Sequence, residues 1–268
     1  MISPSNRSQR PLVYLSGPVC FCLIITLVYS AYVYRISESI QFMDAINDVF
    51  SRSLLLIIYI PVALFSYFYY LDRDFQQSHQ IIRYRVRSRI WYLKIKYMAM
   101  TATLIIVFSM LALLLISLIL NKNLNSWIMM EGAIYHEALN RNMTSVWTQN
   151  KYFYHTGIIM TLRFFYYAVT LFFALLVTEI IRTWTKNAAL AIILTFIVLS
   201  AEIGLLSSDI PVKLLFYYVV PNIERWLSPS SIIWGVVYLI GVIAALILIG
   251  ERIFEKQDFK AHEKSEQQ

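Results

Sequence analysis

The chain has 268 residues, of which 59% are hydrophobic and 15% are charged, and its formal net charge is +7. Soluble domains contain roughly 45–50% apolar and 25% charged residues, so this composition excludes an ordinary soluble domain and indicates a protein surrounded by lipid. The seven glycines and seven prolines are too few for a collagen-like or low-complexity chain.

Six apolar segments of 19 to 24 residues predict transmembrane helices, because about 20 residues of helix cross ~30 Å of hydrocarbon. The first is too long for a signal-peptide core and lacks a small-residue cleavage site, so we expect it to be retained. The sequence predicts an all-α polytopic membrane protein in which residues 1–268 form one transmembrane domain. The six segments are 11–34, 53–71, 98–120, 158–181, 188–206 and 232–250.

The basic residues between these segments predict the orientation. With the N-terminus in the cytoplasm, the cytoplasmic parts hold 15 of the 23 lysines and arginines and the external parts hold seven. Positive residues favour the cytoplasmic side, so we expect both termini to be cytoplasmic in a multi-pass cell-membrane protein. Anionic lipid at that face accounts for the net charge, and we expect no nucleic-acid partner.

The connection 72–97 carries seven basic residues and contains neither glycine nor proline. Ile82, Val86, Ile90 and Leu93 recur at helical spacing, which predicts a basic amphipathic helix between the second and third spans. Such a helix is typical of a membrane-surface element. The alternative is a helix that docks on a cytoplasmic partner, and one helix can do both.

Arg163 and Glu202 lie well inside the fourth and fifth predicted spans, four or five residues from their outer ends. Charges within spans usually face the protein interior and tend to pair, so we expect a buried ion pair. Contact of these residues with a substrate, and outward extension of unpaired side chains, are the alternatives.

The segment 207–231, before the last span, is apolar but is interrupted by prolines. Its apolar run is too short to span, which predicts a re-entrant or interfacial hairpin. Segment 121–157 is polar and predicts an ordered external loop or helix.

Catalytic and metal-binding motifs are absent from the sequence. No phosphate-binding loop, H-E-x-x-H or G-x-S-x-G occurs, and the four histidines lie outside the spans. We therefore expect no enzymatic activity and no cofactor or metal site on this chain.

The string Ile82-Arg83-Tyr84-Arg85-Val86-Arg87, followed by Trp91 and Lys94, resembles a signature of Gram-positive peptide-exporter and bacteriocin-immunity permeases. The ending 250–259 resembles the closing pattern of the same family. With six spans, a basic first cytoplasmic connection and a hairpin before the last span, the whole chain is similar to the permease subunits of type-2 ABC exporters.

The resemblance implies a permease that pairs with a second permease chain, identical or related, and with a cytoplasmic ATPase subunit that binds the ATP. It implies that the connection 72–97 is a coupling helix. The residues expected to couple to the ATPase are Ile82, Arg83, Tyr84, Arg87, Ile90 and Trp91. An ATP-independent transporter, or an immunity or sensing membrane protein, is the alternative function.

Overall fold

The computed structural model describes residues 10–36, 40–71, 87–130, 132–206 and 223–256. Within these ranges the chain forms helices and turns and no β-strand, which confirms the all-α class for the part described. The α-helices are α1 Arg10–Ile36, α2 Phe42–Val49, α3 Arg52–Leu54, α4 Ile60–Phe65, α5 Arg87–Ile119, α6 Ala133–Asn140, α7 Thr144–Asn150, α8 Thr156–Thr185, α9 Ala188–Leu206 and α10 Pro229–Glu255. Short 3-10 helices cover Ser126–Ile128, Lys151–Tyr154 and Ile223–Leu227.

Four helices are long and apolar enough to cross a membrane. They are Leu15–Ile36, Ser88–Ile119, Thr156–Thr185 and Pro229–Glu255. Phe42–Val49 and Arg52–Phe68, bent by 43° at their junction, qualify together as a fifth. Ala188–Ala201 is apolar but shorter. The fold therefore contains four or five apolar helices of spanning length in its described part, and the count of six spans stays a prediction.

The helix from Arg52 to Leu71 changes its winding around Pro61. Two π-helical stretches, Leu55–Tyr59 and Ser66–Leu71, flank α4, in which Pro61 occupies an N-terminal position. Proline has no N–H to donate to the preceding turn, so the helix loses one regular hydrogen bond there. Wider π turns keep the chain helical next to such a break.

Among the described residues, α5 runs from Arg87, eleven residues before the predicted third span. With 33 residues it is about 50 Å long, well beyond the ~30 Å of hydrocarbon. Residues 87–97 of the predicted coupling helix are thus continuous with the span that follows them. Residues 72–86 of that helix lie outside the described residues.

α8 is the central helix of the bundle. Of an 18-residue apolar stretch of α8, 61% is buried, whereas the corresponding share in α10 is 17%. α8 contacts α4, α5, α9 and α10. Apolar and aromatic residues occur all around α8, as expected for a helix enclosed by its neighbours. α8 therefore carries its polar residues into the interior at both ends of the bundle.

The two ends of the bundle are defined here by the chain direction. The basal end is where α1 begins and α10 ends, and the distal end is where α1 ends and α10 begins. The distal end also holds α2, α6, α7 and the 3-10 turns, so segment 121–157 is largely helical. Of the predicted hairpin 207–231, residues 207–222 lie outside the described residues.

Candidate functional site

Two clusters of buried charge lie at opposite ends of α8. The basal charge cluster consists of Lys94, Glu179 and Arg182, and the distal arginine cluster surrounds Arg163. Sixteen residues separate Glu179 from Arg163, which corresponds to about 24 Å of helix.

The basal charge cluster centres on the Glu179 carboxylate, which is completely buried. Glu179 Oε1 accepts hydrogen bonds from Lys94 Nζ at 2.8 Å and from Arg182 Nη2 at 2.6 Å. Glu179 Oε2 accepts a third, from Arg182 Nε at 2.9 Å. A buried charge is tolerated only when it is paired and hydrogen-bonded, and these three bonds meet that condition for Glu179. The bond from Lys94 also joins the base of α5 to α8.

Trp91 joins the base of α5 to α10. Its indole is fully buried, and its Nε1 donates to the carbonyl of Ile247 at 3.1 Å. The ring packs directly against Gly250 and lies 5.9 Å from the ring of Phe254. One turn of α5 thus holds contacts to both α8 and α10.

The predicted coupling residues fall into two groups. Ile90 and Trp91 are buried within the bundle, 3% and 0% exposed. Ile82, Arg83 and Tyr84, and the side chain of Arg87, lie outside the described residues. The coupling roles of all six stay predictions.

In the distal arginine cluster, aromatic rings enclose Arg163, which is 1% exposed. Its guanidinium carbon lies 4.7 Å from the ring centre of Trp226 and 5.2 Å from that of Trp127. Its Nη1 donates to the hydroxyl of Tyr167 at 2.6 Å. Aromatic faces attract cations, so these rings stabilise the charge in place of water.

Asp44 of α2 fixes one of these rings. Its Oδ1 accepts a hydrogen bond from Trp127 Nε1 at 2.9 Å, and its Oδ2 accepts one from Ser126 Oγ at 3.2 Å. Both carboxylate oxygens are therefore occupied by neighbours other than Arg163. Asp44 makes no hydrogen bond to Arg163. It influences Arg163 through its negative charge and by holding the Trp127 ring in position.

The second ring is fixed from the other side. The Tyr154 hydroxyl donates to the carbonyl of Trp226 at 2.9 Å, and burial raises the pKa of Tyr154 to about 12. The phenol therefore remains a donor throughout the physiological pH range. The rings of Trp127 and Trp226 meet edge to face at 5.2 Å and close the distal end over Arg163.

The predicted pair of Arg163 with Glu202 stays a prediction, because the Glu202 side chain lies outside the described residues. The register of α8 and α9 is set by Thr178 Oγ1, which donates to Thr195 Oγ1 at 3.0 Å. For straight antiparallel helices, this register places Glu202 about 12 Å deeper than Arg163 along the axes. That offset exceeds two helical turns and does not favour a direct contact.

Several residues of both clusters were not predicted as site residues. Asp44 lies in α2, which is too short to be detected as an apolar segment of spanning length. Trp127 and Trp226 lie in the segments predicted to be an external loop or helix and an interfacial hairpin. Lys94 and Glu179 could have been paired, since both lie near the cytoplasmic ends of neighbouring predicted spans.

No group of three or more His, Cys, Asp or Glu that could hold a metal occurs among the residues that the structure describes. Comparisons with protein-family models, curated proteins and solved structures find no match to this chain. What the two clusters do must therefore be derived from their geometry and from the sequence.

Proposed function

We propose that this chain is the membrane-spanning permease subunit of an ABC exporter. It would form the translocation pathway with a second permease chain, identical or related, and engage a separate cytoplasmic ATPase subunit that binds ATP. In this proposal the basal end faces the cytoplasm, lipid surrounds the bundle, and the chain itself performs no bond chemistry.

The observation that carries the proposal is the attachment of the α5 base to the rest of the bundle. The basic segment 72–86 leads directly into α5, whose Trp91 and Lys94 contact α10 and α8 through buried groups. A force applied to that segment would be passed to α8 and α10 rather than absorbed by a loose linker. Packed interiors transmit such displacements because they deform little.

The resemblance at 82–94 supplies the identity of the partner. Four arginines at 83, 85, 87 and 89 surround the predicted helix with positive charge. A docking surface of this kind fits an acidic face on the ATPase, because complementary charge steers association and sets the register of an interface.

The test reverses two of these charges. We expect Arg83→Glu together with Arg87→Glu to remove the ATPase from the complex purified in mild detergent, because like charges would then oppose each other at the interface. Membrane insertion should persist, since five of the seven basic residues in 72–97 remain. The measurements are the ATPase-to-permease ratio and the ATP hydrolysis rate of the purified complex.

The matched control reverses Arg252 and Lys256, two exposed basic residues at the end of α10. This double variant should retain the ATPase at the wild-type ratio. If no ATPase accompanies the wild-type chain, the ABC proposal fails, and an ATP-independent transporter or an immunity or sensing protein takes its place. If the ATPase remains bound to the Arg83/Arg87 variant, the proposed docking surface is wrong.

A further inference from the structure

Three buried N–H donors in the distal arginine cluster have no hydrogen-bond acceptor among the described residues. They are Arg163 Nε, Arg163 Nη2 and Trp226 Nε1. Arg163 is 1% exposed and Trp226 is fully buried, so bulk water does not satisfy these donors. A buried donor without an acceptor costs about 1–3 kcal/mol, and more when it is charged.

The two free nitrogens of Arg163 form one edge of the guanidinium. Nε and Nη2 carry parallel N–H bonds on the side away from Nη1, and this edge matches the two oxygens of a carboxylate. Nη1, on the other edge, is already bound to the Tyr167 hydroxyl. The unpartnered atoms of Arg163 therefore have the geometry of a two-point anion receptor, and the Trp226 ring centre lies 4.7 Å from the guanidinium carbon.

The nearby acid does not fill this edge. Asp44 directs its two oxygens to Trp127 and Ser126, and no ion pair joins it to Arg163 within the described residues. The faces of the rings around Arg163 attract its positive charge. They do not provide the oxygen acceptors that Nε and Nη2 lack.

We propose that the Nε/Nη2 edge of Arg163 is a binding site for a carboxylate group. The carboxylate belongs to a small solute that enters at the distal end, because the register of α8 and α9 does not bring Glu202 to the level of Arg163. The rings of Trp127 and Trp226 lie over the guanidinium of Arg163, so a solute bound at this edge would be shielded from water. The inference goes beyond the proposed function, because it requires neither an ATPase nor a second permease chain.

The test uses the full chain in lipid nanodiscs and formate as the smallest carboxylate probe. Sodium formate is titrated against sodium chloride at constant ionic strength, while tryptophan fluorescence and thermal unfolding are recorded. If a solute supplies the carboxylate, formate should give a saturable fluorescence change and a higher unfolding temperature, and chloride should give neither. Trp127 and Trp226 lie in the cluster, so the fluorescence reports on the site.

Two variants separate recognition of the carboxylate from general charge effects. Arg163→Lys keeps the charge but lacks the paired N–H donors, and it should weaken formate binding on the order of tenfold or more. Trp226→Phe keeps an aromatic ring but makes it smaller and removes Nε1, so it should weaken binding by a smaller factor, measured by thermal shift. Arg141→Lys is the control, because Arg141 is an exposed distal arginine outside the cluster, and it should leave binding unchanged.

The source of the carboxylate is decided with Glu202→Gln. If Glu202 occupies the edge instead of a solute, the wild-type chain should ignore formate, the Glu202→Gln chain should respond, and adding Arg163→Lys should abolish that response. Absence of a formate response in the wild-type chain would therefore overturn the proposal, and a response of the Glu202→Gln chain alone would assign the edge to Glu202. An equal effect of chloride, or a response of Arg163→Lys equal to that of the wild type, would also overturn it. Should Arg163→Lys fail to fold, the formate-induced thermal shift of Trp226→Phe is compared with that of the wild type. A smaller shift supports binding at this site, and an equal shift overturns it.

Discussion

Glu179 and Arg163 lie on the same helix and are equally buried, but their hydrogen bonds are satisfied to different degrees. Glu179 receives three charge-assisted hydrogen bonds from Lys94 and Arg182. Arg163 makes one hydrogen bond, to Tyr167, and otherwise meets aromatic faces. A fully paired group helps to fix neighbouring helices, whereas a partly satisfied buried group has donors without an acceptor, which is costly.

The basal charge cluster gives the first stability prediction. Glu179→Gln removes the negative charge and leaves the positive groups of Lys94 and Arg182 next to each other in a buried position. Removing one partner of a buried ion pair costs about 3–5 kcal/mol. We expect a large fall in the thermal unfolding temperature in detergent, measured by a scan of tryptophan fluorescence.

The control for this variant is Glu137→Gln. Glu137 of α6 pairs with Arg141, which follows that helix, and the two side chains are 22% and 44% exposed. Exposed pairs contribute about 0–1 kcal/mol, so this substitution should change the unfolding temperature little. Equal effects of the two substitutions would show that Glu179 is not buried against its two basic partners.

At the level of the elements, the contact between α5 and α10 depends on the absence of a side chain at Gly250. A Cβ atom placed there would lie 2.5 Å from Cη2 of Trp91, closer still to Cζ2, and 3.1 Å from Cγ1 of Ile180. The Trp91 ring cannot easily move aside, because its Nε1 is bound to Ile247.

We therefore expect Gly250→Ala to separate α5 from α10 and to lower the free energy of unfolding by about 1–3 kcal/mol. Gly241→Ala is the matched control, since no atom lies within 4 Å of a Cβ at that position of the same helix. There the substitution should be neutral or stabilising, because alanine is the better helix former. Thermal unfolding of both variants, with the ATPase ratio of the purified complex, measures the effect. Unfolding of the Gly250→Ala chain at the wild-type temperature would contradict this close packing.

The helices were predictable to different degrees. α9 begins at Ala188, where sequence placed it, because polar residues precede its apolar run. α5 already includes residues 87–97, which precede the predicted third span, since neither glycine nor proline interrupts the helix there. α2, with only eight residues, is too short to produce a spanning-length signal.

The clusters were less predictable than the helices. A helical stripe shows that one face is covered but not by what, so Ile90 and Trp91 were assigned to a partner although the structure buries them in the bundle. Arg163 was predicted to be buried, and it is. Its aromatic neighbours Trp127 and Trp226 come from segments 36 and 63 residues away, and long-range contacts of this kind leave no periodic signal in one sequence.

For the whole molecule, the buried contacts fix which segments share a side of the bundle. Lys94 contacts Glu179 near the end of α8, and Tyr92 donates to Glu251 near the end of α10 at 2.9 Å. The segment that precedes α5 and the tail that follows α10 must therefore lie on the same side of any membrane. Orientation is then a single choice between two opposite arrangements.

The basic residues make that choice, and reporter fusions test it. We expect fusions within 72–86 and after Glu255 to read cytoplasmic, and fusions within 125–150 and 207–230 to read external, because 15 of 23 lysines and arginines lie on the first side. If all four readings are reversed, the fold stands, the basal end is external, and a cytoplasmic ATPase cannot reach 72–86. If the fusion within 72–86 and the fusion after Glu255 disagree, the joint of α5 with α8 and α10 is wrong, since buried contacts cannot connect residues on opposite faces of a membrane. The same four readings thus separate an error in the fold from an error in the orientation.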